Sequence, residues 1–183
     1  NPESWFDIKG GGPVIDMGPY YFTTLVNLLG PAKNVQGRSL KMFEEREIGI
    51  GPKKGKKFKV NCPTSYLATI EFENNSIIQL TLSFDVAAHQ RNHIEVYGTK
   101  GSAIVPDPNM FGGSCHIFTS SSGKWNEYKT DEMHLGKINI TSQSSRANES
   151  ASNANYRGVG LSEMAYSIEQ NEAHRCSGEL SLH

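Results

Sequence analysis

Two stretches of alternating apolar and polar residues, separated by a short polar turn, constrain the fold of this chain more than any other feature of its sequence. The first is SYLATIEF at residues 65–72, the turn is ENNS, and the second is IIQLTLSF at residues 77–84. Alternation with a period of two places the apolar side chains of each stretch on one face of a β-strand. Those side chains are Tyr66, Ala68, Ile70 and Phe72, then Ile78, Leu80, Leu82 and Phe84. The pattern predicts an antiparallel hairpin with one buried face.

The rest of the chain predicts further strands between two helices. Strand patterns continue in residues 33–43, in HIEVYGTKGSAIV around Gly98 to Gly101, and in CHIFTS and WNEYK about SSSGK. Helical spacing runs from Val14 to Leu29, before a Gly30-Pro31 stop, and returns in YRGVGLSEMAYSIEQNEA. Residues 44–62 are interpreted as an exposed polar excursion and residues 130–155 as a long loop. This order predicts an α+β fold with a large, mostly antiparallel open sheet and helices packed on one face.

Composition argues against several classes of protein. The chain has 183 residues, with 18 basic and 19 acidic side chains and a net charge of −1, so no global field attracts nucleic acid or anionic membranes. No apolar run approaches the roughly 18 residues of a membrane-spanning helix. The run KKGKKFK is better explained as a solvated loop than as a polyanion site. Three dispersed cysteines without a CxxC motif predict reduced thiols in a cytoplasmic protein. Both ends fall within ongoing patterns, so we expect a fragment of a longer protein.

The stretch GGGPVIDMGPYY at residues 10–21 holds the candidate chemistry. Its glycines fit no dinucleotide or P-loop fingerprint. They predict either close backbone approach near Gly12, with free N–H groups available to a ligand oxygen, or simple helix capping. Asp16 and Tyr20 lie four residues apart, so on a helix they share one face. Asp16 either caps the helix or binds a hydroxyl, and Tyr20 is either a core side chain or an acid/base partner.

Other candidate sites are weaker. His89 and His93 have a metal-like spacing but no third ligand nearby in the sequence, so no metal site is predicted. Asn155, Tyr156 and Arg157 lead into the second helix, where they either line a substrate pocket or supply the polar residues that a helix start needs.

The acid/base interpretation of Tyr20 has a further requirement. A free phenol has a pKa near about 10, so a tyrosine that acts as a base at neutral pH needs a nearby cation.

Four segments together resemble the C-terminal domain of the Gfo/Idh/MocA oxidoreductases, a family that includes glucose–fructose oxidoreductase and inositol dehydrogenase. The segments are GGGPVIDMGPYY, IEVYGTKGSAIVPDPN, YRGVGLSEMAYSI and HRCSGELSLH. The resemblance spans nearly all of residues 1–183 and implies a substrate and oligomerisation domain. The N-terminal Rossmann domain, which binds NAD or NADP in this family, is then absent from this chain. The implied reaction is hydride transfer to or from a hydroxyl-bearing carbon of a sugar or cyclitol.

The family's D-x-G-x-H helix falls on Asp16, Gly18 and Tyr20, with tyrosine in the place of the usual histidine. The resemblance implies that Asp16 positions the substrate and that Tyr20 is the catalytic acid/base. A lysine in an E-K-P motif of the Rossmann domain would supply the cation, so this chain alone is expected to be inactive. Implied partners are a small sugar-like substrate, the missing Rossmann domain and further copies of the chain through the sheet face, with no nucleic acid or membrane. The alternative is a non-catalytic module of the same fold that binds sugar or only oligomerises.

Overall fold

A computed structural model describes residues 2–139 and 154–183. The chain divides into two compact units, Asn1–His89 with His183, and Gln90–Leu182. The predicted loop at residues 130–155 lies largely outside the described residues, since residues 140–153 are not among them.

The first unit begins with helical turns and continues with five strands. A 3-10 helix at Pro2–Phe6 is followed by α1 at Pro13–Asp16 and α2 at Gly18–Leu29. The strands are β1 Ala32–Leu40, β2 Glu45–Glu47, β3 Lys57–Lys59, β4 Ser65–Phe72 and β5 Ile77–Ser83. They form a three-stranded antiparallel sheet in the order β1-β4-β5 and a separate β2-β3 hairpin.

The predicted hairpin at residues 65–84 is confirmed as β4 and β5. Ala68 pairs with Leu80 and Ile70 pairs with Ile78, which puts the apolar residues of both strands on one face. Ile70, Phe72 and Leu82 are buried on that face. In the turn, Asn75 has a φ of 64°, and the Asn74 side chain accepts a hydrogen bond from the Ser76 N–H at 2.9 Å. The turn residues thus fix the register that the alternation predicts.

Two predictions for the first unit need correction. The single helix from Val14 to Leu29 is divided at Met17, because Pro19 has no N–H to donate to the preceding turn. The Tyr20 N–H donates instead to the Met17 carbonyl, at 3.3 Å. The polar excursion at residues 44–62 is also not wholly exposed, because its hairpin carries Ile48, Val60 and Cys62 into the core. Apolar burial at these few positions outweighs the polar composition around them.

The second unit contains a four-stranded antiparallel meander in the order β6-β7-β8-β9. Its strands are β6 Ile94–Gly98, β7 Gly101–Val105, β8 Ser114–Thr119 and β9 Lys124–Lys129. A 3-10 turn occupies Pro108–Met110, α3 spans Val159–Gln170 and α4 spans Gly178–Leu182. Both predicted hairpins and the second predicted helix are therefore confirmed.

The α+β class and the antiparallel pairing are confirmed, but the strands are divided among three sheets where one large sheet was expected. Strand pairing ends at Ser83 and resumes at Ile94. Among the described residues, none of the helices combines the length and apolar character that crossing a bilayer requires.

Candidate functional site

The glycine turn before α1 is built from close backbone contacts. The Gly11 N–H donates to the Asp7 carbonyl at 2.7 Å, and the Gly12 N–H donates to the Trp5 carbonyl at 2.6 Å. A Cβ atom at Gly11 would lie 2.5 Å from the Trp5 oxygen, so only glycine fits this approach. Gly12 has a φ of 87°, which disfavours any other residue. The expected close approach is therefore present, and it joins two segments of the same chain.

The N–H groups of this turn are already engaged. Gly10 also donates toward the Asp7 carbonyl, at 3.4 Å, so all three glycines bond to the backbone carbonyls of Trp5, in the 3-10 helix, or of Asp7, which follows it. The hypothesis of free glycine N–H groups is therefore wrong for this structure. The substrate contact of Gly12 stays a prediction, and it depends on features of the turn other than that N–H.

Asp16 and Tyr20 lie on either side of the helix break. Asp16 ends α1, where its N–H donates to the Gly12 carbonyl at 3.0 Å, and Tyr20 lies in the first turn of α2. Asp16 is exposed, and the Tyr20 side chain is 50% exposed. Within residues 2–139 and 154–183, neither the Asp16 carboxylate nor the Tyr20 hydroxyl has a hydrogen-bond or ion-pair partner. Neither group is used by the core, so both can reach a ligand.

Gly18 is buried between the two candidates. A Cβ atom there would lie 2.6 Å from the Phe22 ring, so glycine lets Phe22 pack back against the start of α2. This contact gives Gly18 a packing role beside the candidate site.

The candidates at residues 155–157 form a turn before α3 in the second unit. The Asn155 side chain accepts a hydrogen bond from the Arg157 N–H at 3.2 Å. The Tyr156 ring lies 4.8 Å from that of Phe111, and its hydroxyl accepts a hydrogen bond from the Lys137 N–H at 3.2 Å. Asn155 and Arg157 are exposed and Tyr156 is half-buried. The structure thus groups these three residues in the second unit, whereas Gly12, Asp16 and Tyr20 belong to the first.

Sequence reasoning missed a buried polar cluster in the first unit. The Asp85 side chain, only 8% exposed, forms an ion pair with Arg46. It also accepts hydrogen bonds from the hydroxyls of Ser65 and Thr64. Burial alone would raise the pKa of Asp85, but the hydrogen bonds from Ser65, Thr64 and Arg46 and the positive charge of Arg46 lower it overall. The one signal in the sequence was a carboxylate placed directly after an apolar strand.

Two further reactive groups in residues 2–139 and 154–183 are the Cys62 thiol and the His93 imidazole. Burial raises the pKa of the Cys62 thiol, with a smaller contribution from the Asp7 charge, so this cysteine is a poor nucleophile. His93 faces Asp107 at 3.6 Å. In the described part of the chain, no three histidine, cysteine or acidic side chains are grouped to hold a metal ion.

Comparison with known proteins gives the family. Residues 1–104 match the family described as the GFO/IDH/MocA C-terminal domain. A search of curated protein sequences gave no match.

Solved structures share the fold at low sequence identity. Levoglucosan dehydrogenase in complex with NADH and L-sorbose is 18% identical, with a TM-score of 0.66 over 97% of this chain and 48% of its own. An NAD binding oxidoreductase from Klebsiella pneumoniae is 14% identical, with a TM-score of 0.66 and coverage of 97% and 48%. The transcriptional regulator Gal80p from Kluyveromyces lactis is 12% identical, with a TM-score of 0.57 and coverage of 74% and 34%.

This chain spans less than half the length of each of these three proteins. The family match covers more than half of the chain itself and includes the glycine turn, α1, α2 and the first sheet. The chain belongs to the GFO/IDH/MocA C-terminal domain family.

Proposed function

We propose that residues 1–183 are the substrate-side domain of an NAD(P)-dependent oxidoreductase. The reaction is hydride transfer to or from a hydroxyl-bearing carbon of a sugar or cyclitol. Membership of the family supports this proposal, as does the likeness to a dehydrogenase solved with NADH and L-sorbose. NAD or NADP is assigned to a Rossmann domain outside this chain.

The glycine turn does not fit a dinucleotide-binding loop. The sequence contains no G-x-G-x-x-G fingerprint, and the N–H groups of the glycine turn are bonded to Asp7 and Trp5. The role proposed for this chain is therefore to contact the substrate.

The observation that carries the proposal is the exposed Asp16 and Tyr20 pair beside the glycine turn. Asp16 accepts a hydrogen bond from a substrate hydroxyl and so orients the carbon that reacts. When that carbon is oxidised to a carbonyl, the hydride would go to the nicotinamide held outside this chain. The hydroxyl proton would pass to Tyr20 in its phenolate form, which a nearby cation would favour, and in the reverse direction the Tyr20 phenol would return that proton. Both groups are free of partners among the described residues, so they can form these bonds without breaking others.

Asn155, Tyr156 and Arg157 are proposed substrate contacts of the second unit. Asn155 and Arg157 are exposed and bring an amide and a guanidinium to one turn, and these groups suit hydroxyl and anionic substituents. Tyr156 anchors that turn through Phe111 and the Lys137 N–H. Gly12, which is buried in this structure, stays a proposed substrate contact.

A second candidate is a non-catalytic sugar-binding or oligomerisation module. The likeness to the transcriptional regulator Gal80p favours it, because that structure has the same fold. The tyrosine at position 20, where the family pattern has histidine, also favours it.

Replacement of Tyr20 by phenylalanine in the full-length protein separates the two candidates. If Tyr20 is the acid/base, turnover falls by about a hundredfold while substrate binding changes little. Tyr166→Phe, which removes the hydroxyl of another exposed tyrosine, serves as the control and leaves turnover unchanged. Unchanged turnover in Tyr20→Phe would favour the non-catalytic module.

A further inference from the structure

A clamp formed by Trp5, Asp7, Gly11 and Gly12 holds the backbone before Asp16 against the N-terminal segment. It consists of two hydrogen bonds, from the Gly11 N–H to the Asp7 carbonyl at 2.7 Å and from the Gly12 N–H to the Trp5 carbonyl at 2.6 Å. The Gly12 carbonyl then accepts the Asp16 N–H, and Pro13 begins α1 immediately after the turn. The backbone position of Asp16 therefore follows from the position of Trp5.

Trp5 is in turn held by its neighbour Phe6. The Phe6 ring lies 5.5 Å from that of Phe58 and 5.6 Å from that of Phe84, and the Arg46 guanidinium lies 5.1 Å from its centre. The Phe6 carbonyl accepts a hydrogen bond from the Asn61 N–H at 2.9 Å. The 3-10 helix is thus fixed to the β2-β3 hairpin and to the end of β5 by ring packing, a cation–π contact and a backbone bond.

Arg46 links this anchor to the buried polar cluster. Its guanidinium donates to the Phe84 carbonyl at 3.2 Å and pairs with Asp85, while the same group covers the Phe6 ring. Arg46 is therefore positioned by a buried carboxylate and positions an aromatic ring. A continuous set of contacts runs from Asp85 through Arg46 and Phe6 to the clamp.

We propose that Gly11 and Gly12 are positioning residues of the substrate site, and that the clamp holds Asp16 and the start of α2 in their working geometry. This inference rests on the proposed function, because it assigns a role in the reaction to Gly11, which is not a proposed substrate contact, and to the Gly12 N–H, which bonds to the Trp5 carbonyl. Ordering two glycines in the clamp, one of them at a positive φ, is entropically unfavourable for folding. A role in fixing the geometry of Asp16 and Tyr20 for proton transfer explains why the chain keeps them.

The first test measures amide hydrogen exchange in the 183-residue chain and needs no reaction. Gly11→Ala places a Cβ atom 2.5 Å from the Trp5 carbonyl oxygen. We expect exchange at Gly12, Asp16 and Met17 to accelerate by about tenfold or more, with little change at Phe72 in β4. Gly10→Ala is the matched control, because a Cβ atom there meets nothing within 4 Å. Unchanged exchange at Asp16 and Met17, or equal acceleration at Phe72, would overturn the proposal.

The second test measures turnover in the full-length protein. We expect Gly11→Ala to lower kcat by about tenfold to a hundredfold with a smaller change in KM, since small misplacements of reacting groups cost about this much. Gly49→Ala is the control, because a Cβ atom there also meets nothing within 4 Å. If Tyr20→Phe lowers kcat but Gly11→Ala does not, the positioning role alone is wrong. If Tyr20→Phe has no effect, the proposed function is wrong and the positioning role falls with it, whatever the exchange data show.

Discussion

Asp85 connects separate segments of the first unit, because its carboxylate contacts Arg46 and the neighbouring residues Thr64 and Ser65. Its carboxylate is buried, yet hydrogen bonds from Ser65 and Thr64 and the pairing with Arg46 keep it ionised. Removal of the Asp85 charge leaves the partly buried Arg46 guanidinium without its ion-pair partner. This lowers the free energy of unfolding by more than the intact pair contributes to it.

We predict that Asp85→Asn lowers the free energy of unfolding near pH 7 by roughly 2–3 kcal/mol. Because the folded state lowers the pKa of Asp85, its stabilising contribution is present above the unfolded pKa, near about 4, and is lost as the pH falls through the folded pKa. The difference between parent and variant should therefore shrink as the pH falls below about 4. Urea unfolding at several pH values measures it.

Glu44→Gln is the matched control for this prediction. Glu44 pairs with Lys41, but its side chain is 82% exposed, so its removal should cost about 0.5 kcal/mol or less. A pH-independent difference for Asp85→Asn, or an equal loss for Glu44→Gln, would contradict the assignment.

At the residue scale, the sequence left open whether Tyr20 is a core side chain, and the structure shows it 50% exposed. Asp16 and Tyr20 were proposed as site residues because they are close in sequence and share a motif, and their role stays a prediction. Asp85 and Arg46 were not paired, because they lie 39 positions apart and only the tertiary fold brings them together. No local pattern contains that information.

At the scale of elements, the hairpins were predictable and the helix break was not. Alternation and turn residues act locally, so β4-β5, β6-β7 and β8-β9 were all recognised. The spacing of apolar residues from Val14 to Leu29 is helical on both sides of Met17, and it therefore concealed the effect of Pro19. The prediction that residues 44–62 are exposed was wrong for Ile48, Val60 and Cys62. Three apolar residues are too few to change the mostly polar composition of that segment, so its composition did not indicate their burial.

A glycine in the second unit tests the predicted hairpins. A Cβ atom at Gly101, the first residue of β7, would lie 2.0 Å from the Phe118 carbonyl oxygen of β8. We predict that Gly101→Ala lowers the free energy of unfolding by roughly 1–3 kcal/mol because β7 and β8 must separate. Urea unfolding followed by circular dichroism measures the loss.

Gly98→Ala is the comparison, since its Cβ atom would meet the Gly101 oxygen at an ordinary 3.6 Å. Its effect should stay within about 0.5 kcal/mol. Equal losses in the two variants would show that the close contact in the structure does not govern stability.

At the scale of the whole molecule, the fold class followed from the order of helices and strands, whereas the division into sheets did not. Periodicity identifies strands but does not specify which strands pair across a long connection such as residues 84–93. The expected self-association through a sheet face is a further whole-molecule property, and it stays a prediction.

The four-stranded sheet offers a surface for that self-association. Tyr97, Ser102, Phe118 and Trp125 form one cross-strand row, so their side chains share a face. Tyr97 is 76% exposed and Trp125 is 52% exposed. We predict that the chain self-associates and that Trp125→Lys weakens the association constant by about tenfold or more, as measured by sedimentation equilibrium.

Leu161→Lys is the control for self-association, because Leu161 is equally apolar and well exposed but lies on α3. It should leave the association constant unchanged. A monomeric parent chain at all concentrations, or a larger effect from Leu161→Lys, would exclude the sheet face.

A double-mutant cycle on Asp16 and Tyr20 in the full-length protein tests the central claim most directly. Residues that act as one unit in a reaction are strongly non-additive. We therefore predict that Asp16→Asn and Tyr20→Phe each lower kcat by about a hundredfold, and that the double variant is no more than about threefold slower than the slower single variant. Losses that simply multiply, or turnover that survives both changes, would contradict a joint role in proton transfer.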